Sequence, residues 1–428
     1  MNREDSHAAV SFFRKLGPGL LLAATSIGAS HLVMSPQAGA MFGFGLLWLV
    51  TLTHLFKYHA FEFGPRYAAA TGESLIAGYM RLPGPKGWAL WIFLLTTIAQ
   101  GIAVLAGVVG VAAAVLTTFV GVMPLAAWYA VVLVSILLFL HFGGYRWLDF
   151  LNKMMMVVLL AATLLVFVPV FPPPRVLMHL VIPSLPAGSL VLAAAILGWM
   201  PTGIDVSIWH SLWTLEKYPE LSPGSATPAD RPRVLRLALA DMRIGYALSF
   251  VVAAVFLMLA AMFLRDAGGQ LKEIGFARAL ADVYVERMGG WMYVVFMLAA
   301  FSAMYSTSYT VMDGFSRSFA ETLRTLFPET TARAKARFYW SFVLATAALA
   351  FVLLVTVGKP VSLVIMVAML SLAVAPLYYA LNYYCVTRFI AVEGFRPALA
   401  ARLTAIAGIG IMAFATLFCI ASTLLKWK

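Results

Sequence analysis

Two polar clusters interrupt apolar stretches of this chain, and each has the makings of a solute site. The first lies within Gly17–Gly45, GPGLLLAATSIGASHLVMSPQAGAMFGFG, where Thr25, Ser26, Gly28, Ser30 and His31 stand near the middle, followed by Ser35 and Pro36. Gly28 and Ser30 weaken a helix there, and Pro36 withdraws a backbone donor. The second is LVLAAAILGWMPTGIDVSIWHSLW, where Pro201 and Gly203 interrupt the run and Asp205 follows at once. A carboxylate at membrane depth costs roughly 2.5–3.5 kcal/mol on insertion scales and marks a functional site by default. Asp205 has three readings, contact with a ligand, pairing with a basic residue, and capping of the helix that resumes after it, of which ligand contact and capping are compatible. Broken backbone at such depth is tolerated where it is buried in protein or lines a watery cavity. There, half-helix N-termini favour anions and freed carbonyls favour cations.

A third constellation is THLFKYHAFEFGPRY. His54, Tyr58 and Glu62 recur at steps of four and share a helix face, with Lys57 adjoining and His59 beside it. A proton relay is one reading, because imidazole titrates near neutral pH. Lys57 and Glu62 are expected near the cytoplasmic end, snorkelling or pairing structurally, and the roles of His54 and His59 stay open. Asp149 with Lys153, and Asp313 with Arg317, have the i,i+4 spacing of structural ion pairs. Ser302, Ser306, Thr307, Ser308 and Thr310 read as close-packing positions, and Asn382 as a buried polar group. The chain has no Walker, GxSxG, HExxH or CxxC motif, which argues against ATP-driven transport and against the common hydrolytic dyads.

The elements that must carry these residues are membrane helices. The 428 residues are 62% hydrophobic and only 11% charged, against roughly 25% charged in soluble domains. Apolar runs of about 20 residues fall at 17–42, 45–67, 88–116, 122–142, 148–171, 188–213, 237–264, 290–315, 338–357, 361–387 and 402–425, about eleven spans in one membrane domain, 1–428. The N-terminal segment lacks the pattern of a cleaved signal peptide. Cys385 and Cys419 lie in apolar runs and suggest no disulfide framework. With a cytoplasmic N-terminus, the inner loops carry 19 Lys and Arg against 8 in the outer ones, as the positive-inside rule demands. An odd span count leaves the C-terminus outside. The longer connections are a proline-rich segment at 171–187, a polar turn-rich one at 216–235, and a partly helical one at 265–289. Interrupted spans five apart, the first and the sixth, point to an inverted repeat, with halves at about 17–171 and 188–387 and an extra helix at about 402–425.

At this point the residues resemble the Nramp family of proton-coupled divalent-metal transporters, which has the LeuT fold. The resemblance rests on GPG at Gly17–Gly19, AGA at Ala38–Ala40, FGFGLLWLV at Phe42–Val50, GYRWLDFLNKMMMVVLL in spans four and five, SAMYSTSYTVMDGFSR in span eight and MLSLAVAPLYYALN in span ten. It implies an all-α integral membrane protein with a LeuT-type 5+5 inverted repeat and broken helices one and six. The departures fall at the chemistry. The family's Asp-Pro-Gly-Asn signature corresponds here to Gly28, Ala29, Ser30 and His31. Its Met-Pro-His matches Met200, Pro201 and Thr202, or, anchored on His210–Ser211 instead, its Met and His fall on Gly203 and Asp205. Its carboxylates in span three have no counterpart, and Gln100 is the most polar bulky residue there.

The substrate site implied by this frame is Gly28, Ala29, Ser30, His31, Met200, Thr202, Gly203 and Asp205, and the possible proton path is His54, His59, Glu62 and Gln100. Hard divalent ions need oxygen, while softer ones accept imidazole and thioether, so His31, Met34, Met200 and Asp205 can form a soft site, albeit a thin one. The metal is left open, with His31, Met200 and Asp205 as its candidate ligands. The leading expectation is an Nramp-related secondary transporter working by alternating access, with a remodelled site that does not bind transition metals in the usual manner. One alternative is a proton-coupled divalent metal importer with an atypical His/Met/Asp site. Another is an integral-membrane enzyme, which would need His31 and Asp205 to approach within roughly 3 Å, or through one water. No cofactor and no nucleic acid are expected. The expected partners are membrane lipid and a small ion or polar solute, and the expected state is a monomer in a bacterial inner membrane.

Overall fold

In lipid the backbone has no water to bond, so long apolar segments must close their own hydrogen bonds as helices. The computed structural model describes residues 26–142, 160–221, 230–265 and 273–424, with Met154, Val157 and Val158 besides. Among them every regular element is helical. A π-turn, Ser30–Met34, leads into α1, Ser35–Phe42, and then come α2, Leu47–Thr71, α3, Trp88–Phe119, α4, Leu125–Phe142, and α5, Leu160–Val170. The sixth span is two half-helices, α6, Leu190–Trp199, and α7, Val206–Lys217. The chain continues through α8, Arg231–Phe263, α9, Phe276–Met288, α10, Trp291–Leu326, α11, Ala332–Val357, α12, Pro360–Arg388, and α13, Leu399–Leu424. Among the described residues eight stretches are long and apolar enough to cross a membrane, and α5, α6 and α7 are shorter. Asp149, Asn152 and Lys153 lie outside the described residues, as does the middle of the 216–235 connection.

Helix ends run past several of the apolar runs, because charged turns satisfy one another. α10 continues beyond 315 through Arg317, which bonds Asp313 at 2.7 Å, and through Glu321, which pairs with Arg324 and with Lys335 of α11. The Asp313–Arg317 pair is the one its spacing predicts. Pro36, read from the sequence as a helix breaker, is accommodated: it falls in the first turn of α1, directly after the π-turn, where its missing donor costs little. The backbone departs from helix earlier, at Ile27–Gly28.

The helices associate in two groups. α8 packs on α1 and α2, and α7 on α2; α3, α10 and α11 pack on one another, while α12 contacts α3, α6 and α13. Small residues permit the closest crossings. Gly198, at the end of α6, sits so close to α12 that a Cβ on it would lie 1.9 Å from the Ala368 carbonyl oxygen. Backbone cannot yield there as a flexible side chain would. Gly198→Ala is therefore expected to destabilise the protein by about 1–3 kcal/mol, the usual range for overpacking. Thermal unfolding in detergent measures it, and an unchanged midpoint would show that α6 and α12 separate easily.

Candidate functional site

The two breaks face one another. Gly28 lies against α10, where a Cβ would come within 2.3 Å of Thr307 Oγ1, and the π-turn then carries Ser30 and His31. Opposite, α6 stops at Trp199 and α7 starts at Val206, so Met200 to Asp205 cross the gap without regular helix. Asp205 stands at the N-cap position of α7, yet its side chain makes no capping hydrogen bond. The residue also lines a cavity. That cavity is bounded by Ala29, Ser30, Gln100, Trp199, Thr202, Gly203, Asp205, Trp209, Thr307 and Phe315, together with Val104, Val108, Val206 and Val311. It leaves about 30 Å³ for water centres, room for about two waters. Of the predicted substrate residues, Ala29, Ser30, Thr202, Gly203 and Asp205 line it, while Gly28, His31 and Met200 do not.

His31 is committed elsewhere. Its Nδ1 is 2.7 Å from Ser30 Oγ, and its Nε2 is 2.9 Å from Ser249 Oγ and 3.0 Å from Ser249 O. His54 Nε2 reaches the same Ser249 hydroxyl at 3.1 Å, and His54 Nδ1 reaches Val50 O at 2.8 Å. A carbonyl only accepts, which assigns the protons. His54 Nδ1–H donates to Val50 O, so uncharged His54 accepts at Nε2 from Ser249 Oγ–H. Ser249 Oγ accepts in turn from His31 Nε2–H, and His31 Nδ1 lies 2.7 Å from Ser30 Oγ, whose one proton is shared among this nitrogen and the carbonyls of Ser26 at 2.9 Å and Pro201 at 3.3 Å. One direction of donation satisfies the links from His31 Nε2 through Ser249 and His54 to the backbone of α2. Both ring nitrogens of His31 stand within hydrogen-bond distance of Ser30 or Ser249, and no hydrogen bond among the described residues couples His31 to Asp205 as an acid–base pair.

Lys57 departs most from expectation. It does not snorkel. Its side chain is 0% exposed, and its ammonium donates to Gly198 O at 2.9 Å, Met200 O at 3.2 Å and Thr202 O at 3.5 Å. It thus crosses from α2 to the carbonyl end of α6. Glu62 does pair structurally, with Arg66 and, at 2.5 Å, with His59 Nδ1. Tyr58, between them on the same face, accepts from Arg243 Nε at 2.9 Å. His54 and the His59–Glu62 pair therefore belong to separate networks. Gln100 Oε1 accepts from Ser371 Oγ at 2.8 Å, and Ser371 Oγ accepts from Trp199 Nε1 at 2.8 Å. Asn382 is buried, as predicted, and joins Ser207 to Tyr79. His210 is fully buried, and both of its ring nitrogens lack a hydrogen-bond partner among the described residues.

Sequence reasoning missed Ser249, a lone hydroxyl in apolar α8, and the aromatic walls Trp199, Trp209 and Phe315. It favoured packing for Thr307 over contact with an ion site. A single Ser in the run ALSFVVAAV is the only cue for Ser249, and its two histidine partners come from other helices. No group of three or more His, Cys, Asp or Glu side chains among the described residues could hold a metal ion.

Comparison with known proteins agrees with the architecture. The family profile described as Nramp, natural resistance-associated macrophage protein-like, matches residues 19–422. An uncharacterised protein of Pasteurella multocida is 31% identical over 355 residues, covering 79% of this chain and 77% of that protein. A divalent metal cation transporter, MntH, of Aeromonas hydrophila is 27% identical over 270 residues, 60% of this chain and 62% of that one. Among solved structures, a manganese transporter of Eremococcus coleocola superposes with a TM-score of 0.73 at 16% identity, over 95% of this chain and 87% of the other.

Removing the Ser249 hydroxyl should break the chain at one place. His31 Nε2–H retains the backbone carbonyl at that position, so the loss falls on His54 Nε2, a buried acceptor left unpaired. Ser249→Ala is expected to cost about 1–3 kcal/mol and Ser249→Thr much less. Unfolding midpoints of the two variants in the same detergent compare them, and equal midpoints would show that the hydroxyl does not link the imidazoles.

Proposed function

The chain belongs to the Nramp family of secondary transporters, and from that premise we propose that it works by alternating access with a remodelled substrate site that does not bind transition metals in the family's usual manner. The substrate lies between the breaks, against Ala29 and Ser30 on one side and Thr202, Gly203 and Asp205 on the other. One observation carries this reading: the three candidate metal ligands do not converge. Asp205 lines the cavity, the ring nitrogens of His31 are spent on Ser30 and Ser249, and Met200 is buried behind the cavity wall. A transition metal entering a bilayer needs several soft or anionic donors to replace its water, and one carboxylate does not supply them.

The likeness to proteins named as divalent metal cation and manganese transporters favours a second reading, proton-coupled import of a divalent metal through an atypical His/Met/Asp site. It would require His31 to abandon both of its partners and Met200 to turn toward the cavity. Proton movement is proposed to be weak or to follow another route than α3, whose Gln100 is uncharged. The Ser30–His31–Ser249–His54 chain, which starts at the cavity wall, supports such a route. The distribution of Lys and Arg supports a cytoplasmic N-terminus and an external C-terminus. The protein is proposed to act as a monomer in a bacterial inner membrane.

Titration calorimetry with manganese on wild type, His31→Ala and Asp205→Ala separates the two readings. Little heat of binding is expected in all three. Micromolar binding to the wild type that either substitution abolishes would favour the metal importer. In proteoliposomes loaded with a pH-sensitive dye, an uptake screen over metals and small polar solutes is expected to show transport without strong acidification. Stoichiometric acidification would count against a weak coupling.

A further inference from the structure

A broken helix leaves carbonyls without partners at the end of its first half, and those oxygens carry the negative end of the helix dipole. In this protein a side chain occupies them. Lys57 Nζ reaches Gly198 O, Met200 O and Thr202 O at 2.9, 3.2 and 3.5 Å. All three are acceptors, so three N–H bonds are needed to meet them, and a neutral amine has only two. Two of these contacts are of ordinary hydrogen-bond length and the third is at the limit, and the ammonium form, with three N–H bonds, is the one that meets all three. Thr202 also lines the cavity, and Asp205 contributes its carboxylate three residues further on. The remaining polar wall, Ser30, Gln100 and Thr307, is uncharged. Lys57 comes from α2, and its side chain is completely buried, so the positive charge cannot leave with the solute.

We propose that Lys57 is a built-in cation that fills the carbonyl cradle of the broken helix, making it the residue that sets the charge of the solute accepted there. Its charge and that of Asp205 sum to zero at the break, so the site takes a solute carrying no more than one positive charge and rejects dications. This rests on the reading of the cavity as the substrate site, and it adds the physical agent of the exclusion. Without the ammonium, the three carbonyl oxygens would lose their shared donor, with Thr202 and Asp205 of the same break already at the cavity wall. Carbonyls and a carboxylate are an all-oxygen donor set of the kind hard divalent ions use.

The test converts the site. Wild type, Lys57→Met, Lys57→Gln and Lys57→Arg are purified in detergent, and manganese and calcium are titrated by calorimetry and by the shift in unfolding temperature. The wild type and Lys57→Arg are expected to show no saturable binding up to millimolar ion. Lys57→Met or Lys57→Gln is expected to bind at least tenfold more tightly than the wild type, and a further Asp205→Asn is expected to abolish that gain. Folded neutral variants that gain no dication binding would overturn the proposal while leaving the non-metal reading of the cavity standing. Tight binding to the wild type, strengthened tenfold in a neutral variant, would defeat that reading and keep Lys57 as a charge barrier. Should neither neutral variant fold, the wild type decides. A dication-dependent rise in its unfolding temperature that Asp205→Asn removes overturns the proposal, and the absence of any rise supports it.

Discussion

The structure depends on how unpaired backbone is satisfied where there is no water. Each break borders the cavity, and each strands peptide groups whose desolvation costs several kcal/mol. The break in the sixth span meets this with a full charge, the Lys57 ammonium on three carbonyls. Burying an ammonium is itself costly, and it is tolerable only with such complete coordination. The break and the lysine thus stabilise one another: neither the carbonyls nor the cation would persist in that position alone. The arrangement also ties α2 to α6 at the depth of the cavity.

The same contact has an electrostatic consequence. Two unit charges 4 Å apart interact by about 4 kcal/mol at an effective dielectric of about 20, and a dication doubles that. A metal held by the Met200 or Thr202 carbonyl would feel this repulsion from Lys57, offset only by the attraction of Asp205. In a site without Lys57, the same carbonyls and carboxylate would act together on the ion. The family's frame is therefore compatible with opposite preferences for charge, depending on one residue in a neighbouring helix rather than on the break itself.

Much of this was legible in the sequence, and the misses have a common cause. The spans, the paired breaks and Asp205 declare themselves because apolar runs, Pro, Gly and an acidic residue at membrane depth are local signals. The i,i+4 pair of Asp313 and Arg317 is local too. Lys57 was misread because its partners are backbone oxygens of a distant helix, and carbonyls have no sequence identity. Its nearness to Glu62 and Arg66 suggested the cytoplasmic end, whereas its reach is toward α6. Ser249 was missed for a related reason: it matters only because the π-turn before α1, together with α2, brings His31 and His54 to the same hydroxyl. His31 looked like a ligand until its neighbours were known, and what a buried imidazole can bind is decided by the hydrogen bonds already made at its two nitrogens.

The placement of the polar ties bears on how the proposed alternating access would divide the molecule. The strongest ones lie inside one group: Lys57 joins α2 to α6, and Ser249 joins α8 to His31 and to His54. Such bonds are costly to break in a low dielectric, so α1, α2, α6 and α8 should move as a unit. Across to the other helices the contacts are of another kind. Gly28 and Thr307 meet by close approach, and beside them run hydrogen bonds between neutral groups, Trp199 to Ser371 and Asn382 to Ser207, while Arg317 of α10 forms an ion pair with Glu216 of α7. Neutral bonds of this type contribute about 1 kcal/mol each and can be exchanged for water when a cavity opens. Asp205 lies at the seam, lining the cavity. There its charge can be shared between water and solute without disturbing the group that Lys57 holds together.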